Sequence, residues 1–136
     1  NNTGSQALSN GVADNLNLTK LVGNLPVSSG YNITLYKGFY YEFDYAINIL
    51  ANPTSGTALA EATISATGAT VYGVRASVRT FNSTYGAGDN VPGSAVIDLT
   101  SSGSDAVIKL RASLVEGNST VRVGTWLKIK QYKKVV

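Results

Sequence analysis

The sequence predicts an all-β, antiparallel fold, and three observations carry that prediction. Charged residues make up only 14% of the 136 residues, whereas Gly, Ser, Thr and Asn are abundant, a balance unlike the Glu- and Lys-rich faces of helical proteins. Apolar and polar residues alternate with a period of two in one segment after another, and no amphipathic helix of useful length is found. Clusters of Gly, Asn, Ser and Pro separate these segments. About eight short strands, each with one polar and one apolar face, need two sheets packed face to face or one sheet closed on itself. With no internal repeat at a propeller or solenoid period, an antiparallel two-sheet sandwich or jelly roll is the economical solution, and the length suits a single domain over 1–136.

Residues 1–30 hold short apolar runs, Leu16 to Leu18 and Leu21-Val22, before a Gly23-Asn24-Leu25-Pro26 turn. They predict short first strands or an entry from a stalk. From Tyr31, Ile33 and Leu35 alternate with polar neighbours until Lys37-Gly38 breaks the run. Phe39, Tyr41, Phe43, Tyr45, Ile47 and Ile49 then share one face, and Tyr40, Glu42, Asp44, Ala46 and Asn48 the other, which predicts a half-buried strand. The turn Asn52-Pro53-Thr54-Ser55-Gly56 follows. Residues 58–67 are Ala-rich, but Thr63, Ile64, Thr67 and flanking glycines favour strand over helix. Val71 to Phe81 reads as one strand with a solvated face. Residues 82–94, with three glycines and a proline in a short window, read as a long exposed loop. Ala95 to Thr100 and Ala106 to Val115 read as a hairpin-like pair around Ser101 to Asp105, with Ile97, Leu99, Ile108, Leu110, Ala112 and Leu114 inward. Glu116 to Ser119 reads as a turn, and Thr120 to Tyr132 as one final strand.

Much chemistry is excluded at once. The chain has no His and no Cys, which removes the imidazole base, the Ser-His-Asp triad, imidazole and thiolate metal sites, and disulfides. Glu42 and Asp44 share a strand face, as a glycosidase pair would, but every even position nearby is polar or small, so they read as the solvated side of an alternating strand. Asp89 and Asp105 read as turn formers, because no spacing supplies the six or more oxygens that calcium takes. Gly86-Ala87-Gly88 lacks the helix and the Gly-Lys-Ser/Thr of a phosphate loop. No catalytic residue, metal or cofactor is therefore expected, nor an enzyme. A net charge of +3 comes from eleven scattered Lys and Arg, so no nucleic-acid partner is expected. No stretch approaches the roughly 18 apolar residues of a membrane span, so no membrane insertion is expected. Five Asn-x-Ser/Thr sequons, at Asn1, Asn17, Asn32, Asn82 and Asn118, are what an Asn- and Thr-rich chain also produces by chance. The chain starts Asn1-Asn2-Thr3 and has no Met, as a trimmed or processed piece would.

Three segments together resemble the C1q/tumour-necrosis-factor-like jelly roll. Tyr36-Lys37-Gly38-Phe39-Tyr40-Tyr41-Glu42-Phe43-Asp44-Tyr45 resembles that family's turn and aromatic-rich middle strand. Ser94 to Thr100, Gly103-Ser104-Asp105 and Ala106 to Leu110 resemble its later strand pair, and Gly124 to Ile129 its terminal strand. Cysteines of the animal members are missing, and the chain is most similar to heads on bacteriophage and spore-surface fibres, above all the C-terminal heads of tectivirus vertex spikes. The resemblance implies a homotrimer on a virion surface whose partners are itself and a host-cell receptor or another virion protein. Trp126, on one strand face with Lys128 and Lys130, and Tyr40 are then the candidate trimer contacts. Asn82, Tyr85, Asp89 and Asn90, in the segment read as a loop, are the candidate surface contacts. A coat protein without a receptor and a carbohydrate-binding module with Tyr85 as its platform are the alternatives.

Overall fold

The computed structural model describes residues 6–8, 14–18, 23–28, 30–52, 57–73, 76–82, 88–114, 118–121 and 125–133. Among them there is no helix, and eleven strands run in order: β1 (Gln6–Leu8), β2 (Asp14–Asn15), β3 (Val27–Ser28), β4 (Asn32–Leu35), β5 (Phe39–Asn52), β6 (Thr57–Thr67), β7 (Ala76–Asn82), β8 (Gly88–Asp98), β9 (Ala106–Leu114), β10 (Asn118–Val121) and β11 (Trp126–Lys133). They form two antiparallel sheets. The first is built on β5, which holds β8 along one edge and β11 and β10 in succession along the other, with β1 outside β10. The second runs β3, β4, β9, β6, β7, with β2 following β4 along the same edge of β9.

The alternation read from the sequence becomes the core. Tyr41, Phe43, Tyr45, Ile47 and Ile49 of β5 are buried, as are Val91, Ala95 and Ile97 of β8 beside them. Against them lie Ile33, Leu35, Ala62, Ile64, Ile108, Leu110 and Ala112 of the second sheet, with Leu16 and Leu18 filling one end. A two-layer sandwich results, as the sequence predicts, and its shared apolar core is the main source of stability. Two turns are tied together at one end. Gly38 takes φ +86, which a glycine adopts without Cβ strain, and its N–H donates to Leu99 O at 2.7 Å. Next to it the Lys37 N–H donates to Asp105 Oδ1 at 2.9 Å, so Asp105 fastens the 36–38 turn to the 101–105 turn.

Tyr45 links three strands. Its ring lies over Gly93, its direct partner on β8, and its hydroxyl donates to Ala62 O of the opposite sheet at 3.3 Å. Burial, with a smaller push from Glu61, raises this phenol from 10.0 to about 12. The folded state therefore keeps a proton that the unfolded chain gives up between those values, so the contribution is complete below pH 10 and is lost as pH rises to about 12. Tyr41, raised mainly by burial, acts in the same direction. Urea midpoints measured across this alkaline range are expected to fall, by on the order of 2 kcal/mol for Tyr45, and Tyr45→Phe should flatten the slope. A midpoint unchanged through that range would contradict this account.

Six sequence expectations are corrected. Ala95 to Thr100 and the strand from Ala106 form no hairpin-like pair, because β8 pairs with β5 in the first sheet and β9 with β2, β4 and β6 in the second. Asn52, read as the start of a turn, is the last residue of β5. Residues 88–94 form no loop: they are the first half of β8, with Gly88 to Ser94 facing Leu50 to Asp44 of β5. Val71 to Phe81 is not one strand, because Gly73 at φ +81 breaks it and Tyr72 crosses to bridge Val96 of the first sheet. Asn118 and Ser119 belong to β10 rather than to a turn. Thr120 to Tyr132 is divided between β10 and β11, whose registers on β5 differ. Val121 faces Ile49 and Trp126 faces Ala46, so the two registers on β5 are offset by two residues, as across a β-bulge. Buried Thr125 serves this irregularity by accepting the Asn48 N–H on Oγ1 at 2.9 Å, where an unpaired buried donor would cost about 1–3 kcal/mol. Leu21-Val22 and residues 53–56 lie outside the described residues.

Candidate functional site

The even residues of β5 point away from the core, and with their partners they make the outer face of the first sheet. Its rows run across β8, β5 and β11. Asp98, Tyr40 and Tyr132 form one end, and Val96, Glu42 and Lys130 come next. Ser94, Asp44 and Lys128 follow, and then Pro92, Ala46 and Trp126. Each end carries aromatic surface. Tyr40 and Tyr132 pack with ring centroids 6.1 Å apart at 56°, and Tyr132 is 44% exposed. At the other end Trp126 is 43% exposed although Ala46 beside it is buried.

The middle is an acid–base ladder. Lys130 Nζ lies 3.7 Å from Glu42 Oε2 and 3.6 Å from Asp44 Oδ2, and the Tyr132 hydroxyl donates to Glu42 Oε2 at 2.9 Å. Asp44 first, then Tyr132 and Glu42, hold the Lys130 ammonium above its ordinary range. The hydrogen bond to Glu42 raises the Tyr132 phenol. Solvent screens these groups, so the ladder orients side chains more than it stabilises the fold. On this face Glu42 and Asp44 are occupied by Lys130 and Tyr132, as solvated-face residues.

Trp126 and Tyr40 thus share one face, though they stand at its opposite ends. Of the other four site residues, three lie among the described ones. Asn82 ends β7 in the second sheet, opposite Thr57. Asp89 and Asn90 lie in β8 of the first sheet, opposite Ile49 and Asn48, with Asn90 exposed on the outer face. Tyr85 lies outside the described residues. Tyr132 was missed by sequence reasoning, yet it falls on the Trp126, Lys128, Lys130 period and could have been read from it. The exposed ring of Tyr72, 57% accessible, carried no such signal, because it depends on the bridge to Val96.

Among the described residues no group of three or more His, Cys, Asp or Glu is placed to hold a metal ion, and no helix is long and apolar enough to cross a membrane. No protein-family model matches the chain, nor does any curated protein or solved structure.

Proposed function

We propose that this domain is a jelly-roll head that trimerises through the outer face of the first sheet and serves a phage-type virion spike or fibre in recognising a host-cell or partner surface. The observation that carries the reading is the presence of exposed Trp126 and the Tyr40 and Tyr132 rings on one sheet face, since Trp and Tyr dominate association energetics where they become buried between subunits. Strand order supports the jelly-roll part. β1, β10 with β11, β5 and β8 make one sheet, and β3, β4 with β2, β9, β6 and β7 the other, so the chain passes repeatedly between sheets instead of finishing one before starting the next. A chain without cysteine has in subunit burial a source of stability that cross-links supply elsewhere. The absence of His and Cys supports recognition over catalysis.

Light scattering across a dilution series is the test. A mass three times that of the chain, holding at micromolar concentration, is expected, and Trp126→Glu should lower it to the monomer while leaving the β-sheet circular dichroism unchanged. A wild-type monomer at that concentration would remove the assembly reading, and a trimer indifferent to Trp126→Glu would move the interface elsewhere.

A further inference from the structure

The outer face of the first sheet does not end at β8. Residues 68–73 leave the second sheet between two glycines at positive φ, Gly68 at +85 and Gly73 at +81, and reach the outer edge of β8. Tyr72 is fixed there by a two-way backbone exchange with Val96, its N–H donating to Val96 O at 2.8 Å and its carbonyl accepting the Val96 N–H at 2.9 Å. Residues directly opposite across an antiparallel bridge project from the same side of a sheet, and Val96 is an outer-face residue between buried Ala95 and Ile97. Tyr72 therefore lengthens the row of Val96, Glu42 and Lys130 by one position. At 57% it is the most exposed large hydrophobic residue among the described ones.

Each flank of the face thus carries an exposed tyrosine. On the β11 flank Tyr132, 44% exposed, stands in the row of Tyr40 and Asp98, which is the row next to that of Tyr72. The two levels differ by about 7 Å, two residues of strand, but the flanks lie three strand spacings apart, about 14 Å, so the two rings are not partners within one chain. Charge separates the flanks as well. β11 carries three lysines and no acid, whereas neither β8 nor residues 69–73 hold a Lys or Arg. Two β11 flanks brought together would set lysine against lysine, and a β11 flank on a β8 flank does not.

A closed threefold ring constrains how such flanks meet. In it every subunit offers one patch to one neighbour and a different patch to the other, so a trimer on this face needs two distinct contact surfaces, and Trp126 with Tyr132 supplies only the first. We infer that Tyr72 marks the second: the β8 flank of each subunit, centred on Tyr72, receives the β11 flank of the next, with Tyr132 against Tyr72. The inference rests on the trimer reading above and adds to it the surface that receives Tyr132.

The wild-type chain has no cysteine, so introduced thiols report contacts without background. In the test, Tyr72→Cys, Tyr132→Cys and the double variant are treated with a short bis-maleimide and separated under denaturing conditions, beside light scattering of the untreated proteins. Covalent trimers are expected from the double variant and covalent dimers from a co-refolded mixture of the two single variants, with neither single variant linking alone. Tyr72→Ser, which keeps the backbone exchange with Val96, should raise the concentration at which the trimer dissociates by roughly ten-fold or more. Linking of Tyr132→Cys to itself would mean a twofold contact and overturn the inference. So would a double variant that is trimeric by light scattering yet stays unlinked, or a Tyr72→Ser trimer as resistant to dilution as wild type. If the double variant does not fold or assemble, the mixture of single variants and the Tyr72→Ser dilution series decide. A wild-type monomer overturns the trimer reading and this contact together, whereas a wild-type trimer with no link between positions 72 and 132 overturns this contact alone.

Discussion

Tyr45→Ala is expected to destabilise the domain by about 3–5 kcal/mol, the range for removing a buried aromatic ring, measured as a shift in the urea unfolding midpoint at neutral pH. Domains of this size are stable by only about 5–15 kcal/mol, so a fifth or more of the total is at stake. Three losses coincide at this side chain. Its ring is 1% exposed within the core, its phenol reaches Ala62 O across the two sheets, and its removal uncovers the backbone at Gly93. Tyr45→Phe keeps the ring and should cost about 1 kcal/mol, as one neutral hydrogen bond would. A loss below about 1 kcal/mol for Tyr45→Ala would show that the site collapses around the gap and that Tyr45 does not hold the sheets together.

The reciprocal substitution, Gly93→Ala, should cost about 1–3 kcal/mol or more through overpacking, although it adds a single methyl group to an exposed-looking sequence. A Cβ at this position would fall inside the Tyr45 ring, with Cε2 at 2.6 Å, and the ring is enclosed by core neighbours and cannot swing away. The two effects are coupled. Once Tyr45 is alanine the methyl group has room, so Tyr45→Ala with Gly93→Ala should be scarcely less stable than Tyr45→Ala alone. Additive losses within about 0.5 kcal/mol would mean that the two positions do not interact.

The same pair of residues explains where the sequence could be read and where it could not. β5 was legible from Phe39 to Ile49, since alternating aromatic and polar residues over so many positions fit no other element, whereas its end at Asn52 was read as a turn. The first half of β8 was not legible, because Gly88, Pro92 and Gly93 are residues that break strands when nothing else is known. Their use here depends on neighbours distant in sequence. Gly93 is the vacancy that the Tyr45 ring fills. Pro92 has the parity of Val96, whose N–H points away from β5 toward Tyr72, so the N–H that proline lacks would have faced the outer edge of the sheet and no ladder bond is lost. The division of β10 from β11 was hidden for a similar reason. Alternation continues across it, and only the pairing with Ile49 and Ala46 reveals the two-residue offset.

The candidate sites followed this pattern. Trp126 and Tyr40 were placed on one face by period alone, and Tyr132 follows from the same count.

Those distant pairings bear on how the chain is made. β1 waits for β10, β2 and the far edge of β4 wait for β9, and one whole edge of β5 waits for β10 and β11. A nascent chain that has reached residue 105 can form at most the β3–β4, β5–β8 and β6–β7 pairs, with both sheets incomplete and the apolar faces open. Domains generally fold as units; here the clasp lies beyond residue 105, so the sandwich closes only after that segment is free, and until then its open apolar faces and unpaired edges are the surfaces through which intermediates aggregate.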